Sequence, residues 1–335
     1  MARRVAVAFN DDSHLKPHLN PTELLGESEV REAAEEIAQV AGGTLIAVRD
    51  DVESALRELR RFDVVVNLCE GVLGNPRFEI NFALALEMLG IAHTTCDPIV
   101  AGLCIDKVLI KKLLRAAGLP TPRGYVDPRD VPAGTYIVKP SREDAGIGID
   151  ANAVVSTAKD LAARCRYVVE TYHQPPLIEE FIDGRELNQS LYCGRLLPPG
   201  EVVFSEEWTP RQRVVGWTSK WATGSAEDLG SVNRTPAQID DSSGAEVARV
   251  CLAATQLLGI DMVARIDLRQ AQDGTLNIID INPNPDIGPG SGFRKALNAA
   301  RVPFSDFLEA LMMAAYARRA HEDPSRSSER SRPNS

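Results

Sequence analysis

The chain has 335 residues, 44% of them hydrophobic, and carries 37 Lys and Arg against 47 Asp and Glu, a net charge of −10. This length favours two or three structural units, each with its own hydrophobic core. The acidic balance argues against a nucleic-acid partner, and the lack of a long apolar run argues against a membrane. Six scattered cysteines without a metal-binding spacing, and no secretory signal, predict a reduced, cytoplasmic protein.

The first hundred residues alternate short apolar strands with helical segments. We predict strands at 4–9, 44–48, 63–68 and 91–94, and helices at 27–40, 52–60 and 76–89. Strands that alternate with helices typically build a parallel sheet with short crossovers. Residues 1–100 are therefore predicted to form a Rossmann-like α/β domain that ends near Asp97-Pro98.

The rest of the chain mixes helices with longer stretches of strand and loop. A basic amphipathic helix is predicted at 105–117, and two further helices at 243–258 and 304–319. We divide this part into an α+β unit at 101–185 and a second at 186–320. The tail 321–335 is rich in Ser, Arg and Pro and is expected to be disordered.

A predicted β-hairpin near the C-terminus is the most informative segment. Alternating runs at 264–268 and 277–282 flank the turn-forming Asp273-Gly274. Because strand side chains alternate between faces, Arg265 and Asp267 share one face, as do Asp280 and Asn282 on the return strand. The opposite, apolar face is expected to hold Ala264, Ile266, Leu268, Ile279 and Ile281. Carboxylate and amide oxygens suit Mg²⁺, although the same face could be a solvated surface with incidental charges.

Four other segments carry weaker signals when each is taken alone. A buried strand at 136–140 delivers Lys139 to a loop with Gly146 and Gly148, which is either a phosphate cradle or an ordinary turn. Lys107 lies on the basic helix, where a solvated face is the default interpretation. An apolar strand at 177–182 is bordered by acids, which suits either a nucleotide-binding strand or an ordinary edge strand with a turn. Lys220 stands in a segment poor in charge.

In this order and spacing, the segments resemble the ATP-grasp superfamily, and within it the D-alanine–D-alanine ligase group. The resemblance extends from about residue 63 to residue 312, and its most specific parts are Val138-Lys139-Pro140, the run 179–186, Arg265-Ile266-Asp267 and Asp280-Ile281-Asn282. It implies an ATP-grasp fold behind the N-terminal parallel-sheet domain. It also implies a ligase that joins a carboxylate to an amine with ATP and two Mg²⁺ or Mn²⁺ ions.

The resemblance assigns roles to residues of this chain by position. Lys107, Lys139 and Lys220 would hold the phosphates, and Gly146 and Gly148 would lie in the loop that closes over them. Glu179 would meet the adenine edge with main-chain groups near Ile182, and Glu186 the ribose. Asp267, Asp280 and Asn282 would bind the metal ions, Arg265 would stabilise the oxyanion at the reacting carbonyl, and Ser291 would bind the carboxylate of the second substrate.

The substrate side departs from the family pattern. The double-glycine signature of the N-terminus is missing. Glu29 is a candidate for holding a substrate ammonium, although an ordinary acid beside the dipole at a helix start explains it better. Cys69-Glu70-Gly71 replaces a His-Gly motif. Ala145 and Trp221 stand where the family has a serine and a tyrosine, and Asp286 replaces a glycine.

These departures favour an amide-forming ligase whose donor is not D-alanine and which acts on a small carboxylate and an amine. The resemblance is also compatible with a homodimer. Three alternatives stay open. The first is an authentic D-alanine–D-alanine ligase with a changed pocket. The second is a ligase or cyclase that forms another bond, such as an ester, and the third is a nucleotide-binding regulator without catalysis. Intact metal-ligand positions argue against the regulator, since a pure binder would not need them.

Overall fold

The computed structural model describes residues 3–11, 27–75 and 77–322, and its N-terminal part is a helix-covered parallel sheet. The strands run in the order β2-β1-β3-β4, and every pairing is parallel. The elements in chain order are β1 (Val5–Asn10), α1 (Glu27–Ala41), β2 (Thr44–Val48), α2 (Val52–Leu59), β3 (Val64–Asn67), α3 (Phe78–Met88) and β4 (Ala92–His93). The predicted α/β class of this region is confirmed.

Burial on both faces explains why these strands read as continuous apolar runs. Val7 and Phe9 of β1 point into one hydrophobic core, while Ala6 and Ala8 point into a second core on the other face. The sheet therefore lies between two helical layers. Its carboxyl-terminal edge, where α/β folds usually bind ligands, faces the rest of the chain.

The central part is a four-stranded antiparallel sheet with strand order β5-β8-β6-β7. Its elements, with the two helices that precede it, are α4 (Pro98–Ile105), α5 (Lys107–Ala116), β5 (Gly124–Tyr125), β6 (Tyr136–Pro140), β7 (Val154–Val155), α6 (Ala158–Tyr172) and β8 (Pro176–Glu180). The sequence predicted a helix at 105–117. In the structure that helix begins at Lys107, and Asp106 separates it from α4. The Asp106 side chain accepts a hydrogen bond from the Leu109 amide at 3.0 Å and so caps a new helix at Lys107.

The C-terminal part contains the largest sheet of the described residues, which is antiparallel in the order β12-β11-β9-β13-β14, with β10 paired to β9. Its elements are β9 (Gly184–Tyr192), β10 (Arg195–Leu196), β11 (Gly200–Phe204), α7 (Trp217–Trp221), α8 (Ala226–Leu229), β12 (Ser231–Arg234), α9 (Asp241–Leu258), β13 (Val263–Ala271), β14 (Leu276–Asn282), α10 (Gly292–Ala299) and α11 (Phe304–Glu322). The predicted hairpin is β13-β14.

A β-bulge in this hairpin overturns one detail of the sequence prediction. Asp267 pairs with Asp280, but the next residue of β13, Leu268, pairs with Ile278, so Ile279 is the extra residue. Ile278 is buried in the core in its place, and Ile279 lines a cavity on the polar face. The expectation that Ile279 belongs to the apolar face is therefore wrong, while it is right for Ile281, which is buried.

Helix α11 packs against both the N-terminal sheet and the C-terminal sheet. Phe307 packs edge-on against Tyr192 of β9, with ring centroids 5.2 Å apart, and the Arg318 guanidinium donates to the His93 carbonyl at 3.1 Å. One hydrophobic core consequently includes residues from β1 and from α11. None of the helices in the described ranges is both long and apolar enough to cross a bilayer. The predicted tail lies outside the described residues from position 323 on, and α11 extends into its first two positions, 321 and 322.

Candidate active site

A cavity of about 1640 Å³ lies among the three sheets and collects most of the residues that the sequence singled out. The predicted residues that line it are Lys107, Lys139, Gly146, Glu179, Ile182, Glu186, Lys220, Arg265, Asp267, Asp280, Asn282 and Ser291. Gly148 is not among the residues that line the cavity. Glu29 belongs to α1, but its side chain is outside the described residues, so its predicted role stays untested.

Lys107 sits at the centre of the site, with its ammonium between two carboxylates. It begins α5, and its Nζ donates to Asp280 Oδ1 at 2.6 Å and to Asp144 Oδ1 at 2.8 Å. Burial would lower the pKa of Lys107, which is only 4% exposed, but Asp144 and Asp280 outweigh that effect and raise it. Lys107 is therefore a fixed positive charge at the predicted metal-binding hairpin. The same contact, with help from Lys139, holds the pKa of Asp280 well below its usual range despite burial.

Arg265 and Asp267, two positions apart on β13, form a bidentate ion pair. The guanidinium donates through Nε and Nη2 to the two carboxylate oxygens, both at 2.8 Å. The nearby Asp267 raises the pKa of Arg265, which keeps it protonated. Each predicted metal-binding carboxylate thus has a cation beside it, and both pairs face the cavity.

A buried lysine pair neutralises Glu179 on β8. Glu179 is 1% exposed, and its two oxygens contact Lys111 and, at 2.9 Å, Lys139. Burial alone would raise the pKa of Glu179, but the two lysines lower it. Burial in turn lowers the pKa of Lys111 to about 8, even though Glu179 opposes that change. The carboxylate predicted to meet adenine is thus engaged with a predicted phosphate lysine.

Lys111 also supports the bulge that carries Asp280. Its ammonium donates to the carbonyls of Ile278 and Ile279 at 3.3 and 3.2 Å. The Thr121 hydroxyl donates to the same Ile278 carbonyl at 2.8 Å. Since Asp280 directly follows these carbonyls, Lys111 fixes the backbone from which that carboxylate projects. Sequence analysis missed this residue, although it lies one helical turn after Lys107 on the same helix.

The glycines of the loop after β6 are required by their backbone conformation. Gly146 has a φ of +81°, and a Cβ atom there would lie 2.6 Å from the carbonyl carbon of Gly216. Gly148 has a φ of +70°, and its Cβ would meet Pro140 at the same distance. The Trp217 amide donates to the Gly146 carbonyl at 3.0 Å. This loop therefore packs against the segment that carries Lys220.

Two further contacts lie on the wall predicted for the nucleotide. Glu186, the predicted ribose ligand, pairs with Arg269 Nη2 at 2.6 Å, and Arg269 also donates to the Arg213 carbonyl. Desolvation within the cavity, together with the nearby Arg265 charge, lowers the pKa of Lys220.

The wall on the substrate side is acidic. Desolvation by the surrounding protein, with Asp286 and Asp144 nearby, raises the pKa of Glu70 to about 7. Burial raises the pKa of Glu79 to about 8, and its carboxylate accepts a hydrogen bond from Asn284 Nδ2 at 2.9 Å. Glu79 was not predicted from the sequence, because an acid in the first turn of a helix looks like an ordinary dipole partner.

The positions that depart from the family pattern do come together. The Trp221 indole donates to the Ala145 carbonyl at 3.2 Å, so the replaced tyrosine and serine positions are neighbours. Asp286 accepts a hydrogen bond from the Gly288 amide at 2.7 Å and lines the cavity. Ser291 caps α10 by accepting from the Arg294 amide at 3.1 Å, a structural role that it holds in addition to any contact with substrate.

Comparison with known proteins now gives these contacts a context. A family model described as the D-ala D-ala ligase C-terminus matches residues 133–313, more than half of the chain. D-alanine–D-alanine ligase A of Mesorhizobium japonicum is 29% identical over 311 residues, which is 87% of this chain and 81% of that protein. The uncharacterized protein y4sG of Sinorhizobium fredii is 28% identical over 267 residues, covering 77% and 76% of the two chains.

Solved structures agree on the fold. The D-alanine–D-alanine ligase of Bacillus anthracis complexed with ATP superposes with a TM-score of 0.74 at 18% identity, over 96% of this chain and 100% of that one. The VanG D-Ala:D-Ser ligase of Enterococcus faecalis gives a TM-score of 0.68 at 17% identity, over 94% and 100%. The family match and the shared fold together identify the protein as an ATP-grasp enzyme that forms C–N bonds with ATP. The chain belongs to the D-alanine–D-alanine ligase family.

The role of Lys111 is open to a direct stability test. We expect Lys111→Met to lower the free energy of unfolding by about 3–5 kcal/mol, because it leaves a buried carboxylate short of one partner and removes the cation under the bulge. Urea denaturation measures this. Lys112→Met, at the exposed neighbouring position of α5, is the matched control and should change stability by less than about 0.5 kcal/mol. Equal effects of the two substitutions would contradict the structural role given to Lys111.

Proposed function

We propose that this ligase activates a small carboxylate other than D-alanine as an acyl phosphate and joins it to an amine, forming an amide bond. One observation carries the proposal. The ion pairs Lys107–Asp280 and Arg265–Asp267 face the same cavity as Lys139, so phosphate-binding cations and metal-binding oxygens surround one space. That arrangement is what phosphoryl transfer to a carboxylate requires.

ATP binding is supported by cations from three elements. Lys107 comes from α5, Lys139 from β6 and Lys220 from α7, and all three line the cavity. Glu186 and the backbone near Ile182 hold the ribose and the adenine on the neighbouring wall. The loop at Gly146 covers the phosphates and excludes water, which would otherwise hydrolyse an acyl phosphate.

The donor set formed by Asp267, Asp280 and Asn282 fits Mg²⁺ that is shared with ATP. Within the described ranges, no three His, Cys, Asp or Glu side chains gather closely enough to form a metal cage of their own. Two carboxylates and one amide suit an ion that keeps phosphate and water oxygens in its shell. Bound there, Mg²⁺ or Mn²⁺ would neutralise the negative charge that accumulates on the transferred phosphate.

The chemistry then proceeds in two steps. An oxygen of the substrate carboxylate attacks the γ-phosphorus of ATP, and the bond to ADP breaks. The amine next attacks the carbonyl carbon of the acyl phosphate, loses a proton, and expels inorganic phosphate. We assign Arg265 to the oxyanion of that second step, and loss of such a donor typically reduces the rate by about 100- to 1000-fold.

The donor preference rests on the changed wall. Glu70 and Asp286 add acids to the cavity. The Trp221 indole is hydrogen-bonded to the Ala145 carbonyl, at the positions where the family pattern has a tyrosine and a serine. A pocket rebuilt at three or four positions selects a different acid, since specificity depends on which buried groups find partners. The phosphate and metal positions are unchanged, so the activation step is retained.

The decisive experiment measures ADP release with Mg²⁺ and ATP across D- and L-amino acids, hydroxy acids and dipeptides, singly and in pairs. We expect release that requires a particular pair, together with a condensed product in the mass spectrum. Release with D-alanine alone would return the protein to cell-wall synthesis and overturn the donor proposal. A product with an ester bond would correct the bond type, and tight ATP binding without any release would favour a regulator.

Asp280→Ala should abolish metal-dependent ADP release while the fold is kept, because Lys107 retains Asp144 as its partner and the backbone at position 280 is held separately through Ile278 and Ile279. Turnover is measured against Mg²⁺ concentration, and circular dichroism checks the fold. Asp241→Ala, at an exposed helix start, is the control. A fully active Asp280→Ala enzyme would show that the hairpin does not bind the metal.

Lys139→Ala should weaken ATP binding by about 10- to 100-fold, the typical consequence of removing a hydrogen bond to a charged group. Calorimetry with Mg²⁺ and a non-hydrolysable ATP analogue measures the affinity. Lys159→Ala, on the exposed face of α6, is the control and should bind like the unaltered protein. If both variants bind equally well, Lys139 does not hold phosphate.

A further inference from the structure

Three charged residues meet at the carboxyl-terminal edge of the N-terminal sheet. Asp11 directly follows β1, Arg49 directly follows β2, and Arg31 lies on α1. All three line the cavity. In open α/β sheets this edge is where ligands bind. The nucleotide and metal positions proposed above come from the other two sheets and from α5 and α7, so this edge belongs to the substrate side.

Both guanidinium groups converge on one carboxylate oxygen. Arg31 Nη2 donates to Asp11 Oδ2 at 2.9 Å, and Arg49 donates to the same oxygen through Nε at 2.9 Å and Nη2 at 2.7 Å. Asp11 is buried, and one guanidinium is enough to neutralise it. Two arginines and one aspartate carry a net charge of +1, so this cluster holds more positive charge than its own carboxylate needs.

The arginines also keep unused donors. A guanidinium has five N–H groups, and toward the described residues Arg31 uses one of them and Arg49 two. Their side chains remain 43% and 60% exposed on the cavity wall. The Arg31 guanidinium also lies over the Phe9 ring, 5.3 Å from its centroid, which holds it in place.

The charge pattern of the wall gives this cluster its meaning. Among the described residues of the N-terminal 100 that line the cavity, Arg31 and Arg49 are the cationic side chains, whereas Glu32, Glu70 and Glu79 are acidic. An anionic group on a substrate is repelled by most of this wall and attracted at one place. Two planar guanidinium forks are the side chains best suited to a carboxylate there.

We propose that Arg31 and Arg49 bind a second carboxylate on the donor acid, so that the substrate is a dicarboxylic acid or an acidic amino acid. This inference rests on the proposed ligase function, because one carboxylate of the donor must lie at Arg265 and Asp280 for activation. The second carboxylate displaces part of the arginine contact with Asp11 and takes up the unused donors. The donor therefore spans the cavity from the metal-binding hairpin to the N-terminal sheet.

The test compares acids that differ only in the distal group. Binding to the protein with Mg²⁺ and a non-hydrolysable ATP analogue is measured by calorimetry for glutarate against glutaramate, for D- and L-glutamate against glutamine, and for phosphoserine against serine. We expect the diacid of a pair to bind at least about tenfold more tightly than its amide, as charge-assisted paired hydrogen bonds allow. The phosphoserine pair distinguishes a phosphate from a carboxylate.

Variants assign this preference to the two arginines. Arg31→Gln and Arg49→Gln should each reduce it, and the double variant should abolish it, while affinity for the ATP analogue stays unchanged. Arg57→Gln, an exposed arginine on α2 that pairs with Glu53, is the control and should keep the preference. Arg49→Lys keeps the positive charge but lacks the paired N–H donors of a guanidinium. Thermal unfolding of every variant checks that Asp11, after losing an arginine partner, has not destabilised the N-terminal domain.

The outcomes separate this proposal from the ligase proposal. Equal affinity within every pair, or a diacid preference that survives in the double variant, overturns the anion site. A phosphoserine preference without a diacid preference overturns the carboxylate assignment. Arginine-dependent binding of a diacid without ADP release from ATP for any amine keeps the site and overturns the ligase. ADP release with uncharged donors, if the arginine variants do not change it, keeps the ligase and overturns the anion site.

Discussion

The ammonium of Lys107, buried between Asp144 and Asp280, is the contact on which the rest of the site depends. Buried charges are tolerated only when they are paired, so a carboxylate on β14 and a lysine on α5 hold each other in place across 173 residues of sequence. Asp144 brings the glycine loop to the same point. The Arg265–Asp267 pair repeats the pattern one strand away. Cations thus stand beside the oxygens proposed to share Mg²⁺ with ATP, and these ion pairs fix the shape of the site in the absence of either ligand.

Helix α5 shows both the strength and the limit of sequence reasoning. Taken alone, its basic residues indicate a solvated face, and Lys112 and Arg115 do lie on one. Lys107 and Lys111, one turn apart, are instead almost wholly buried, at 4% and 3% exposure. The hydrophobic pattern of a helix cannot distinguish these two faces, because the groups that make burial tolerable come from distant strands. For Lys107 it was the order of motifs along the chain that indicated a site, and Lys111 had no such motif.

The hairpin was predictable because its information is local. Alternation around Asp273-Gly274 gave both strands and the polar face, and the structure agrees at Asp267 and Asp280, which pair directly. The bulge at Ile279 was not predictable, because it depends on Lys111, which contacts the Ile278 carbonyl from 167 positions away. The helix start at Lys107 instead rests on a local signal, because Asp106 caps it through the Leu109 amide three positions on, so the prediction of 105–117 missed only the cap. Element type follows from periodicity, whereas register and side-chain partners follow from tertiary contacts.

The two halves of the cavity are under different constraints, and this difference explains why the phosphate and metal positions keep the family pattern while positions on the substrate side do not. Phosphoryl transfer needs fixed cations and metal ligands whatever the acid, and this requirement constrains Lys139 and Asp280 in the roles proposed for them. In the proposed binding mode, the N-terminal wall meets only the part of the donor that does not react. A substitution there, such as Cys69-Glu70-Gly71 in place of a His-Gly motif, alters which acid binds without disturbing how it is activated. Arg31 and Arg49, at the far edge of an otherwise acidic wall, are therefore best understood as determinants of which donor acid binds, because activation at the hairpin does not require them.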